Sequence, residues 1–258
     1  MKKSALKLTM AFLLAVCTLT GCGDASSDKS SDKETKTEAT TVAEETTEES
    51  TTEASTEEET TTSTDTDASP AAEGTDFKRG VVDGNVYTNE FAGIKLTAPD
   101  DWKFADDETI LQMMNLGAET AYSDNADLVK KIVEQATISD ALCMNSTSTQ
   151  NITITYENLN KNIVLNTDTT AEDYYSILET QLAAITSIKY TKKSGPETIQ
   201  MAGKDFLKAV FKAEMNNMEL EQAYYLRREG DFILLISCTA YNMDDDISTF
   251  ENYFSAAE

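Results

Sequence analysis

The chain contains no histidine. That absence removes Ser-His-Asp and Cys-His nucleophilic catalysis, the commonest general base near neutral pH, and every histidine-ligated zinc site. Cysteine is scarce as well. Cys17, Cys22, Cys143 and Cys238 are the four, and no two stand in a C-x-x-C spacing. Neither G-x-G-x-x-G nor G-x-x-x-x-G-K-[ST] occurs, so dinucleotide and P-loop sites lack their fingerprints. Basic residues are outnumbered: 21 Lys and Arg face 46 Asp and Glu, a formal charge of −25 over 258 residues. Nucleic acid and anionic lipid are bound by clustered cations, and this balance argues against both. Long apolar runs are also missing, with one short exception at the start of the chain.

That exception carries the clearest signal. Lys2, Lys3 and Lys7 give a positive start, and residues 8–19 are uniformly apolar or small. About a dozen such residues suit the core of a signal peptide and are too few to span a bilayer as a helix. The run ends in Leu19-Thr20-Gly21-Cys22, which resembles the bacterial lipobox. The resemblance implies that residues 1–21 are removed, that Cys22 carries the lipid, and that the mature protein sits on the extracytoplasmic face of the cell membrane. An ordinary secretory signal or an N-terminal membrane anchor is the plainer alternative.

From residue 23 to residue 76 nearly every position is Thr, Ser, Glu, Asp, Ala or Lys, with 17 acidic residues, 3 lysines and no aromatic ring. Such a stretch buries too little apolar surface to offset the entropy of ordering, so 22–76 is expected to be a disordered, acidic linker. A neutral flexible chain of that length would average about 40 Å end to end, and its charge of −14 should extend it. The Ser and Thr density leaves a glycosylated stalk as the alternative.

Residues 77–258 have the length of one domain and can bury a core without covalent staples. Residues 85–90 and 93–98 read as a hairpin, with Ile94, Leu96 and Ala98 on its buried face. Two short helices are expected next. Asp106 or Asp107 caps the first, which carries Ile110, Leu111 and Met114 and stops at Gly117. Asp124 caps the second, which carries Leu128, Val129, Ile132, Val133 and Ala136 on one face. Strands follow at 138–144 and 151–157. The spacing of Tyr174, Ile177, Leu178, Gln181, Leu182 and Ile185 then predicts a helix over 170–185, capped by Thr169 or Thr170. The last third reads as a meander of 206–215, a strand marked by Leu220, Tyr224 and Leu226, and 232–236. The final strand is apolar on both parities, so it needs cover on both faces and belongs at the centre of the sheet. Asp244-Asp245-Asp246 opens a closing helix with Ile247, Phe250 and Phe254.

Three features invite a functional account and have a structural one. Trp102 after a strand exit is expected as a core lid. Tyr174-Tyr175 is expected as one packed and one exposed ring. The three aspartates at 244–246 are expected to cap a helix rather than bind Ca2+, since the EF-hand pattern is absent. Cys143 and Cys238 stand in apolar, strand-like runs and are expected unbridged, with a disulfide as the alternative for an exported protein.

The order of elements, hairpin, helices, two strands, long helix, meander and closing helix, resembles that of the PsbP/Mog1-like fold. Tyr87-Thr88-Asn89-Glu90, Gly93-Ile94, Ala98-Pro99-Asp100-Asp101-Trp102 and the section from Cys143-Met144 to Tyr156-Glu157-Asn158-Leu159 look like uncharacterised lipoproteins of anaerobic Gram-positive bacteria. The resemblance implies an α+β domain, an antiparallel sheet sandwiched between helices, acting as a non-enzymatic partner or accessory subunit. The expected protein is thus a membrane-anchored lipoprotein whose monomeric domain binds an envelope protein or small ligand. No catalytic residue, cofactor or metal is expected. A carboxylate-based hydrolase of cell-wall glycan is one rival, and needs two facing carboxyl groups. A ligand-binding sensor or transport accessory is the other, and needs a deep pocket.

Overall fold

The computed structural model describes residues 77–121, 136–162, 165–215, 218–241 and 246–257, and within 116–121 it describes the backbone only. Two antiparallel sheets make up most of it. The smaller joins β1 (Val81–Asp83), β2 (Val86–Asn89), β3 (Ile94–Thr97) and β11 (Phe254–Ala256) in the order β1-β2-β3-β11. The larger comprises β4 (Trp102–Phe104), β5 (Thr137–Asn145), β6 (Gln150–Asn158), β7 (Lys189–Met201), β8 (Lys204–Met215), β9 (Met218–Glu229) and β10 (Phe232–Ala240), in the order β4-β5-β6-β10-β9-β8-β7. Helices α1 (Asp107–Ala121) and α2 (Ala171–Ala184) and a 3-10 helix, η1 (Ile247–Tyr253), complete the described elements.

β10 holds the centre, between β6 and β9, and all nine of its residues are buried. Alternate residues serve different layers. Phe232, Leu234, Ile236 and Cys238 join Tyr87, Ile94, Leu96, Phe250 and Phe254 in one core. Ile233 and Leu235 join Tyr174, Leu178 and Leu182 of α2 in the other. The expectation of a sheet sandwiched between helices is therefore wrong. The fold is mostly β: helices lie on one face of the large sheet, and the small sheet with η1 covers the opposite face. Period-two alternation in β2 and β3 shows that one face of each is buried, but not whether a helix or another sheet buries it.

Several elements stand where the periodicity places them. Thr170 caps α2 through a reciprocal capping box with Asp173, and Asp106 accepts from the Thr109 amide at the start of α1. α1 differs from expectation because it runs through Gly117 to Ala121; one glycine inside a helix costs only about 1 kcal/mol and is overridden. The helix expected from Asp124 lies outside the described residues, apart from Ala136. Phe254 belongs to β11 rather than to the closing helix.

β7 has no counterpart in the sequence reading. Its thirteen residues are mainly exposed and show no alternation. Pairing to β8 defines it, from Lys189 opposite Glu214 to Met201 opposite Lys204. It is an edge strand, and its two irregularities of register and its lysines 189, 192 and 193 are devices that keep edges from pairing further. Gly195 within it has φ +83, and a Cβ there would lie 2.4 Å from the Lys208 carbonyl oxygen. Only glycine fits.

Cys143 and Cys238 are free and buried. Both stand opposite Ile152, one from β5 and one from β10, on either side of β6. Two strand spacings separate them by roughly 9–10 Å, beyond the roughly 7 Å that a disulfide spans.

Candidate functional site

Three carboxylates are deeply buried among the described residues: Glu221 of β9 pairs with Lys193 of β7, and the other two, Asp140 and Glu157, lie on opposite faces of the large sheet. Asp140 sits where the register of β5 against β6 slips between Ser139 and Ala141. The irregularity turns its side chain toward the small sheet, a common use of a bulge. One carboxylate oxygen accepts from Arg79 Nε at 3.2 Å. The other accepts from the Gly80 amide at 2.9 Å, from Asn89 Nδ2 at 2.9 Å and from the Tyr87 hydroxyl. Arg79 continues to Asp107 of α1 and to the Ser139 carbonyl. Burial, with Tyr156 and Asp140 nearby, drives the Tyr87 phenol well above its ordinary range. Donors surround Asp140 on every side, so this cluster binds the entry segment 77–80 to both sheets.

Glu157, next to last in β6, has the parity opposite to Ile154 and Tyr156 and faces the helix side, 1% exposed. Thr137 Oγ1 donates to it at 2.8 Å and Asn162 Nδ2 at 3.1 Å. Burial outweighs both hydrogen bonds and pushes the carboxyl up to about 7. Tyr174 is close enough that the charge of Glu157 adds to the upward shift that burial imposes on its phenol. The Tyr174 hydroxyl and both amide atoms of Gln181 are buried without a hydrogen-bond partner among the described residues. These two side chains are seven residues apart on α2 and point to the same side of it. A carboxyl near 7 beside unpaired polar atoms is the usual profile of an acid or base, but Glu157 is sealed beneath α2.

Toward α1 the same face holds a small cavity lined by Ile110, Met113, Met114, Ser139, Leu142, Thr153 and Thr155. Its free space is about 10 Å3, room for one water, next to the unpaired Thr153 hydroxyl. Ligand pockets are far larger, on the order of 300 Å3 or more.

The features singled out from the sequence are placed as follows. Cys22 lies outside the described residues, as do the linker, Asp244 and Asp245. Asp246 caps η1 by accepting from the Ser248 hydroxyl and from its amide at 3.0 Å, and the two hydrogen bonds hold its carboxyl below the usual range. Trp102 is a core lid, edge-on to Phe250 and Tyr253 at 5.7 and 6.0 Å. Tyr174 is packed as expected, whereas Tyr175 is also buried, at 5% exposure, against the expectation of an exposed ring. Among the described residues no group of three or more Asp, Glu, Cys or His is placed to hold a metal ion. The sequence assigned neither Asp140 nor Glu157 a buried site. The signal was present in one of them: an aspartate amid the apolar residues 138–143 has no place in a buried strand unless it is paired.

No protein-family model matches the chain, and no curated protein matches it. Solved structures offer remote likenesses. LpqN of Mycobacterium tuberculosis, described as involved in cell envelope biogenesis, aligns with a TM-score of 0.37 at 10% identity, over 64% of this chain and 83% of its own. A protein from Bacteroides thetaiotaomicron VPI-5482 aligns with a TM-score of 0.36 at 10% identity, over 70% of this chain. The chain spans about half the length of that protein, 48%. At this degree of likeness neither transfers a fold or a role.

Proposed function

We propose that the protein is a lipoprotein held on the extracytoplasmic face of the cell membrane by a lipid on Cys22, and that its β-rich domain is a non-catalytic binding or accessory module for another envelope component. The observation that carries this is Leu19-Thr20-Gly21-Cys22 directly after a short apolar run with a basic start. No described helix is long and apolar enough to cross a membrane. Stable anchoring needs two membrane-binding signals, as a diacylglyceryl group provides. The long acidic stretch after Cys22 then serves as a tether. For the domain, binding is favoured over turnover because buried Asp140 and Glu157 lie on opposite faces of the large sheet and each buried carboxylate, Glu221 with Lys193 included, is engaged by donors. Metabolic labelling with a lipid precursor tests the anchor. Label is expected on the full chain and lost in Cys22→Ala; label retained on that variant would refute it.

A further inference from the structure

Large apolar side chains left in water are the exceptions in this domain. Among the described residues they are Val81 at 68% exposure, Leu111 at 51%, Val82 at 44% and Met218 at 38%. Three of these four lie on or near one strand edge. Val81 and Val82 begin β1, the outermost strand of the small sheet, which pairs with β2 and has no partner on its other side among the described residues. Two residues before Val81, the Arg79 guanidinium grips the Asp107 carboxylate at 2.9 and 3.2 Å. Leu111 lies one turn beyond Asp107, on the same side of α1. An open strand edge is thus bordered by exposed apolar groups. The long edge at β7 is treated in the opposite way, with lysines and irregular register.

The exposed charge around the β1 edge is mainly acidic. Asp83 lies in the strand itself, and Asp106, Asp107 and Glu108 open α1, all exposed. Across residues 78–83 and 106–111, Lys78 is the one exposed base. We infer that the β1 edge, with Val81, Val82 and Leu111, is a docking surface for an extended segment of a partner protein that alternates apolar and cationic side chains. Such a segment would add a strand beside β1 through main-chain hydrogen bonds. On the face shared by Val81 and Asp83 its Lys or Arg side chains would lay their aliphatic stems over Val81 and Leu111 and bring their charges to Asp83 and Glu108, while its apolar side chains would cover Val82 on the other face. A second copy of this chain fits poorly, because each domain brings a charge of −14. The chain's own stretch 23–76 is acidic to the same extent. The inference rests on the binding-module function proposed above, and its test is independent of lipid on Cys22.

The test titrates the detergent-solubilised full chain with a dye-labelled octapeptide amide of alternating Lys and Val, read by anisotropy. Saturable binding is expected, weakened at least tenfold in Val81→Lys/Leu111→Lys and unchanged in Met218→Lys. All three proteins should keep the same circular dichroism and melting temperature, since the replaced side chains face water. Should the double variant fail to fold, Asp83→Lys supplies the same comparison. Peptide methylated on alternate backbone nitrogens should bind at least tenfold more weakly, and the Glu-Val counterpart not at all. Four outcomes would overturn the inference: no binding of the Lys-Val peptide, equal binding by the double variant, equal binding of the methylated peptide, or a concentration-dependent dimer that Val81→Lys abolishes.

Discussion

Replacing Glu157 with glutamine should change how stability depends on pH. The carboxyl is raised by burial from 4.5 to about 7 in the folded protein, so the folded state holds this proton more tightly than the unfolded chain does. Its stabilising contribution is therefore complete below pH ~4.5 and is lost as pH rises through about 7. A shift of that size corresponds to about 3 kcal/mol at about 1.4 kcal/mol per pH unit. Glutamine keeps the acceptor for Thr137 but turns an amide nitrogen toward the Asn162 donor, at a pH-independent cost of about 1 kcal/mol. Other carboxylates titrate in acid in both proteins, so the difference between wild type and variant isolates this group. The variant should be less stable at pH 5, and the difference should move in its favour by about 2.5 kcal/mol between pH 5 and pH 8, crossing zero on the way. Urea unfolding gives the measurement, and Trp102, the single tryptophan and 5% exposed, is a built-in fluorescent probe. Parallel pH profiles for the two proteins would show that Glu157 is not a buried carboxyl at all.

Asp140→Ala leaves Arg79 without its buried partner and should destabilise the domain by about 3–5 kcal/mol in the same urea assay; a loss under about 1 kcal/mol would mean that the cluster is solvated. Alkylation of the denatured protein without reductant should label Cys143 and Cys238 whether or not reductant was added beforehand, whereas a reductant requirement would indicate a disulfide. Thr170→Ala removes the capping box of α2 and should cost about 1 kcal/mol, with Thr170→Ser restoring most of it.

What the sequence decides by itself is local or compositional. The resemblance of Leu19-Thr20-Gly21-Cys22 to a lipobox, the acidic low-complexity stretch and the lack of histidine need no fold to be read. Elements whose signal lies within their own residues were equally legible: the start of α2 at Thr169 or Thr170, the alternation of Ile94 and Leu96, and the doubly apolar run at 232–236 that forced β10 to the centre. Periodicity reports that a face is buried, not what buries it. The same apolar stripe on β2 and β3 suits a helix or a sheet, and only the tertiary structure shows a second sheet in place of the expected helical layer. β7 is a strand because β8 supplies its hydrogen bonds; its exposed, lysine-rich residues carry no pattern of their own. Asp140 depends on a slip in strand register, and Glu157 on the cover of α2 some fifteen to thirty residues further along the chain. Their environments, and hence their chemistry, arise from contacts between segments far apart in sequence, which no local pattern records.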